Sequence, residues 1–156
     1  MLFRSLTGDG YLSATSPSGF PSGNSPYTVS TWVLPRATGT YPVSWGAATA
    51  QQGTGIQVSA GKPKFFMWSC GDLYSPSTRP VDGSTWTHIV GVYDPDDIIG
   101  ARKKLYVNGV CVAYDNNNDR DAAIPVGTTF NVGCGVKKDG KFNGAIDIFG
   151  LSMSRS

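Results

Sequence analysis

The sequence contains no glutamate, and its 11 acidic residues are all aspartate. Glu is a strong helix former whereas Asp favours turns and caps, so long helices are not expected. Histidine is nearly as scarce, with His88 alone. No nucleophile motif accompanies it, so a hydrolytic triad has no support, and a place in the core or on a sheet face is the expected role. Cysteine is limited to Cys70, Cys111 and Cys134, without CxxC or histidine-containing ligand spacing. Reduced, buried thiols are expected, although one disulfide-bonded pair stays open if the chain is exported. No apolar run is long enough to cross a bilayer as a helix. Met1 leads into Leu2-Phe3-Arg4-Ser5-Leu6-Thr7 with no basic, apolar and small-residue sequence of a secretion signal, so no leader is expected. Basic residues cluster only at Arg102-Lys103-Lys104 and Lys137-Lys138, within a net charge of +2. Both clusters read as solvated turns. Neither forms a basic stripe interleaved with aromatics, and nucleic acid is not expected as a partner.

What is abundant is turn chemistry. The 20 Gly and 10 Pro are scattered among Ser, Thr and Asn along the whole chain. Between them lie short alternating apolar runs, about ten to twelve by the strand rule. Clear cases are 27–34, 56–59, 64–70, 86–94, 103–107, 110–114, 129–133 and 144–152. In the first of these, Tyr27, Val29 and Val33 fall on one face and Thr28, Ser30 and Trp32 on the other. Asn108-Gly109 sits between two β-rich runs as a two-residue hairpin requires. The terminal run is expected to pair with an N-terminal strand and close the sheet. There is no repeat and no interdomain linker; 17–26 reads as a long surface loop. The chain is therefore expected to form one all-β, antiparallel two-sheet domain over 1–156.

Five segments, in order, carry a family resemblance: Gly8-Asp9-Gly10-Tyr11-Leu12, Tyr27-Thr28-Val29-Ser30-Thr31-Trp32-Val33, Trp86-Thr87-His88-Ile89-Val90-Gly91-Val92-Tyr93-Asp94, Leu105-Tyr106-Val107-Asn108-Gly109 and Phe142-Asn143-Gly144-Ala145-Ile146-Asp147. Together they resemble the laminin-G-like domains of the concanavalin A-like lectin/glucanase superfamily, over almost the entire chain. The resemblance implies a jelly-roll sandwich of two packed sheets, one of them concave. It also implies a candidate structural calcium, held by Asp147 with backbone carbonyls of an N-terminal segment around Gly8. Glucanases of that superfamily need two carboxylates about 5 Å apart on one strand. A chain without Glu does not provide their pattern, so no enzyme is expected.

Carbohydrate recognition couples exposed aromatic platforms to groups that hydrogen-bond hydroxyls. Trp68, Tyr74, Asn117 and Asp119 are the candidate ligand-binding residues on that ground, while Trp32 and Trp86 are expected in the core. Asp115, Asn117, Asp119 and Asp121 alternate like half of a calcium loop, but Arg120 replaces the required Gly and no Glu closes it, so an Asx-rich turn is the better reading. Phe20 reads as a loop anchor or as a plug over a sheet edge. Two functional classes remain: a non-catalytic module that binds a glycan or a protein surface, and a structural protein. The second would be a decoration, cement or fibre subunit of a phage or virus particle, with a homo-oligomer among its expected partners. A chain that starts at Met with no leader favours the latter, leaving virion or cell surface as locations.

Overall fold

The computed structural model describes residues 4–16, 18–115 and 121–152. Twelve strands form two six-stranded antiparallel sheets, with no helix among the described residues. The first sheet runs in the order β1 (Arg4–Thr7), β12 (Asn143–Ser152), β3 (Tyr27–Pro35), β8 (Thr87–Tyr93), β9 (Lys103–Val107) and β10 (Val110–Asp115). The second runs β2 (Leu12–Thr15), β11 (Thr129–Val132), β4 (Thr40–Gly46), β5 (Gly53–Ser59), β6 (Lys62–Met67) and β7 (Leu73–Tyr74). The terminal strands pair as expected, with Thr7 opposite Asn143 and Arg4 opposite Ile146. The Asn108-Gly109 hairpin also forms, and both residues take the positive φ (50° and 82°) that a two-residue turn of this type demands.

Period-2 alternation turns one face of each sheet inward. Along β3, Tyr27, Val29, Thr31 and Val33 are buried, and in β8 Ile89 and Tyr93 match them. From the second sheet come Val43, Trp45, Ile56, Val58, Phe65 and Met67. Tyr27 is the hub: its ring meets Trp45, Phe65 and Tyr93 at centroid distances of 5.2, 6.2 and 5.4 Å. Its hydroxyl shares a 2.7 Å hydrogen bond with Thr54, whose own hydroxyl is 2.8 Å from the Phe66 carbonyl. A buried phenol must find such a partner, and here the partner belongs to the opposite sheet. Gly91 makes close approach possible, since a Cβ on it would lie 2.5 Å from the Phe65 ring.

One charge is also buried between the sheets. Lys103, 3% exposed, donates to the carbonyls of Cys70 and Gly71 (2.7 Å to the latter) and pairs with Asp115 at 3.1 Å. It thereby ties β9 and β10 to the turn after β6, with its charge neutralised in place.

The structure departs from expectation at four points. β4 was not foreseen because Pro42 interrupts its alternation, yet it lies between β11 and β5 inside the sheet; the register shift between Thr40 and Val43 accommodates the proline. The core tryptophan is Trp45, fully buried, whereas Trp32 is 38% exposed and Trp86 half-buried. Trp32 lies on the outward register of β3, opposite the face that carries Tyr27 and Val29. Cys70 and Cys134 are buried, but Cys111 is exposed, because β10 is the sheet's edge; no two of the three are joined by a disulfide.

Two outcomes follow from this core. Gly91→Val forces a branched side chain into Phe65 and is expected to lower stability by about 1–3 kcal/mol in urea titration. Burial, the largest influence, raises the pKa of Tyr27 and Tyr93 above the usual 10.0. The unfolded chain then loses those protons at lower pH than the folded one. Stability is therefore fully present below about pH 10 and falls above it. Denaturation midpoints measured from pH 8 to 11.5 check this, and an unchanged midpoint across that range would contradict it.

Candidate functional site

The outer face of the second sheet is where polar and aromatic side chains converge. The segment 133–142, between β11 and β12, lies over part of it, with Lys137 above the Trp68 ring. Its anchorage is a hydrogen-bond network beneath it. Ser44 and Asn131 have no solvent exposure; the Ser44 hydroxyl donates to the Cys134 carbonyl at 2.7 Å and accepts from the Asn131 amide at 3.2 Å. Lys138 reaches down to the side-chain oxygens of Asn131 and Ser13. The Gly133 N–H donates to Pro42, and Tyr41 N–H to Gly140. Lys137-Lys138 is thus no freely solvated turn, since Lys138 closes the network.

Around this segment lysines lie over aromatic rings: Lys137 is 5.0 Å from the Trp68 ring centre, Lys138 and Lys141 are 5.6 and 5.9 Å from Tyr11, and Lys64 is 5.0 Å from Tyr74. Alternation along β6 places Lys64 and Phe66 on the outer face because Phe65 and Met67 enter the core, and Trp68 continues that outward register. Tyr74 joins them by pairing with Lys64. The strip therefore runs from Tyr74 through Lys64 and Phe66 to Trp68, with Tyr41 packed edge-on to Phe66 at 5.4 Å. From Lys64 to Trp68 it extends about 13 Å. Lys64 forms a 2.7 Å ion pair with Asp72. Burial pulls the Lys64 pKa down, but the hydrogen bond and charge of Asp72 outweigh it, so the ammonium is held above its ordinary range. Burial first, then the Asp139 charge, raises Tyr41, which stays a neutral phenol.

Of the ligand-binding candidates, Trp68 (half-buried) and Tyr74 (47% exposed) are therefore brought to one face. Asn117 and Asp119 lie outside the described residues. The two ends of their segment are engaged by cations, Asp115 by Lys103 and Asp121 by Arg102 at 2.6 Å. The metal candidates are not brought together. Gly8 follows Thr7, the partner of Asn143, whereas Asp147 lies beyond Ile146, the partner of Arg4. That offset is about 13 Å along β12, against roughly 2.4 Å for a calcium–oxygen bond. Among the described residues no three Asp, His or Cys side chains group as a metal site would require. Tyr11, Lys138 and Asn131, which the sequence reading did not select, belong to the face; only their distant partners identify them.

The other outer face, on the first sheet, holds His88. Its ring stacks on Trp32 (centroids 4.8 Å apart, planes at 16°) and its Nε2 lies 2.8 Å from the Ser30 hydroxyl. Asp147 pairs with Trp32 across the strand from His88, so no carboxylate sits next to the imidazole in that row. His88 lines a sheet face, one of the two roles expected of it.

A laminin-G family model, described as the concanavalin A-like lectin/glucanases superfamily, matches residues 6–152, and the chain belongs to that superfamily. No curated protein sequence matches the chain. Among solved structures, the chain is similar to domain 4 of AbnA, a GH43 extracellular arabinanase from Geobacillus stearothermophilus, in complex with arabinotriose. The TM-score is 0.64 at 22% identity, over 97% of this chain and 81% of that one. It is similar to domains LG4-5 of the mouse laminin alpha1 chain, with TM-score 0.66 and 14% identity over 94% of this chain and 40% of that one. The binding domain of botulinum neurotoxin serotype D gives TM-score 0.62 and 14% identity over 99% and 39%. At these identities the likeness is one of fold, and it agrees with the jelly-roll sandwich.

The network beneath 133–142 makes a direct prediction. Lys138→Ala removes two hydrogen bonds from a buried amide and a serine, and is expected to cost about 1–3 kcal/mol. Amide hydrogen exchange should accelerate at Gly133 and Gly135 while Val29 and Ile89 keep their protection.

Proposed function

We propose that this protein is a non-catalytic recognition module that holds a glycan on the outer face of the second sheet. The observation that carries the reading is the shared face of Trp68 and Tyr74, with the Lys64–Asp72 ion pair beside Tyr74. Aromatic rings meet the C–H surfaces of a sugar, and the carboxylate and ammonium groups hydrogen-bond its hydroxyls. Two fold relatives lend support, one an arabinanase domain in complex with arabinotriose and the other a toxin binding domain. No catalytic chemistry is assigned to this face.

A glycan array followed by titration calorimetry tests the reading. Trp68→Ala and Tyr74→Ala are each expected to weaken binding about tenfold, the equivalent of about 1.4 kcal/mol. The exposed Tyr74 should give up little stability when replaced. Absence of binding to every glycan, together with stoichiometric copurification with a virus particle or another protein, would replace the glycan by a protein partner.

A further inference from the structure

We infer that the bay between residues 18–25 and 125–128 is a second binding site, one that takes an uncharged sugar residue and requires neither Trp68 nor Tyr74. Two hydrogen-bonded points fix its walls. At one end the Ser16 N–H and hydroxyl both donate to the Thr128 carbonyl, at 2.8 and 2.6 Å. At the other, Gly23 and Ile124 exchange backbone hydrogen bonds of 2.7 and 3.1 Å. Between these points the two segments part and enclose about 320 Å³, within the range of small-molecule sites. The floor is Phe20, edge-on to Trp45 (5.8 Å) and Phe130 (5.1 Å), so it is continuous with the core and already in place before a ligand arrives.

The lining defines the ligand chemistry. Pro125 and Val126, the latter 86% exposed, add apolar surface to Phe20. Ser18, Ser22 and Ser25 are among the residues lining the bay, and their hydroxyls make no side-chain hydrogen bond among the described residues. A hydroxyl both donates and accepts, so three of them around an apolar floor match a molecule carrying hydroxyls on a C–H framework. Among the described residues no charged side chain lines the bay. A carboxylate, sulfate or ammonium group would therefore be desolvated without a counter-charge.

The test is a titration of the full chain, followed by amide NMR shifts, with D-glucose, D-galactose, D-mannose and L-arabinose, and with D-glucuronate and D-glucosamine as charged counterparts. Saturable shifts at Gly19, Ser22 and Gly127 are expected with at least one neutral sugar, unchanged between 50 and 500 mM salt on the order given by screening. The charged counterparts should bind at least fivefold more weakly. Ser18→Ala/Ser25→Ala should weaken the neutral sugar at least fivefold at an unchanged melting temperature, and Ser22→Leu, which fills the bay, should abolish the shifts. Silence of the bay amides with every neutral sugar, tighter binding of a charged one, or binding that survives Ser22→Leu would overturn the inference. Shifts at Ser69 and Leu73, beside Trp68 and Tyr74, are read separately, so failure of one site is not mistaken for failure of the other.

Discussion

The contact of Tyr27 with the opposite sheet is the constraint on which the rest of the sandwich depends. Its ring touches aromatics from β4, β6 and β8, and its hydroxyl meets Thr54 in β5. Each sheet has one apolar face that must leave water, and area burial alone would permit many relative placements. The directed Tyr27–Thr54 bond and the ring of Phe65 lying over Gly91 restrict them, because a phenol without its partner and a ring without its gap both carry a penalty. Lys103 acts similarly at the β7 end. An ammonium group buried between sheets is tolerable only where Cys70, Gly71 and Asp115 surround it.

With the inward faces committed in this way, recognition is left to the outward faces and the loops. The two outer faces differ in kind. That of the first sheet is an open surface on which Trp32, His88 and Ser30 satisfy one another. That of the second is partly roofed, and the roof brings lysines to aromatic rings that are remote in the chain. The bay at the end of β2 and β11 differs again, being neutral and rich in hydroxyls. One scaffold thus presents three surfaces of different chemistry, as expected when function is carried by sites on a fold rather than by the fold itself.

The parts of the fold legible in the sequence are those set by local chemistry. The alternation of β3, the Asn108-Gly109 hairpin and the pairing of the terminal strands all follow from period, turn residues and closure. β4 was hidden because a proline normally marks an edge or a break, and only the pairing of both its neighbours shows that a register shift absorbs Pro42. Trp45 went unrecognised with it, and Trp32 was expected inside although its own alternation places it with Thr28 and Ser30. Trp68 and Tyr74 could be proposed as aromatic platforms, yet their sharing of a face is set by the β6–β7 register. Lys138 meets Ser13 across 125 positions, and no local pattern in a Gly-Lys-Asp turn announces such a partner.

The roof over the second sheet has an evolutionary consequence. Residues 133–142 leave and rejoin the sandwich at strands whose inward side chains are already spent on the core, and Phe142 belongs to that core, while Lys137 lies over Trp68 of the candidate ligand strip. Exchanges at Lys137 or Lys141, whose ammonium groups lie over the Trp68 and Tyr11 rings, can therefore alter what the face accepts with little consequence for the two-sheet core. Changes at Asn131 or Ser44 cannot, because those groups are buried beneath it. The roof thus carries positions free to diversify above positions bound to stay, and a family built on this plan can change partners without rebuilding its interior.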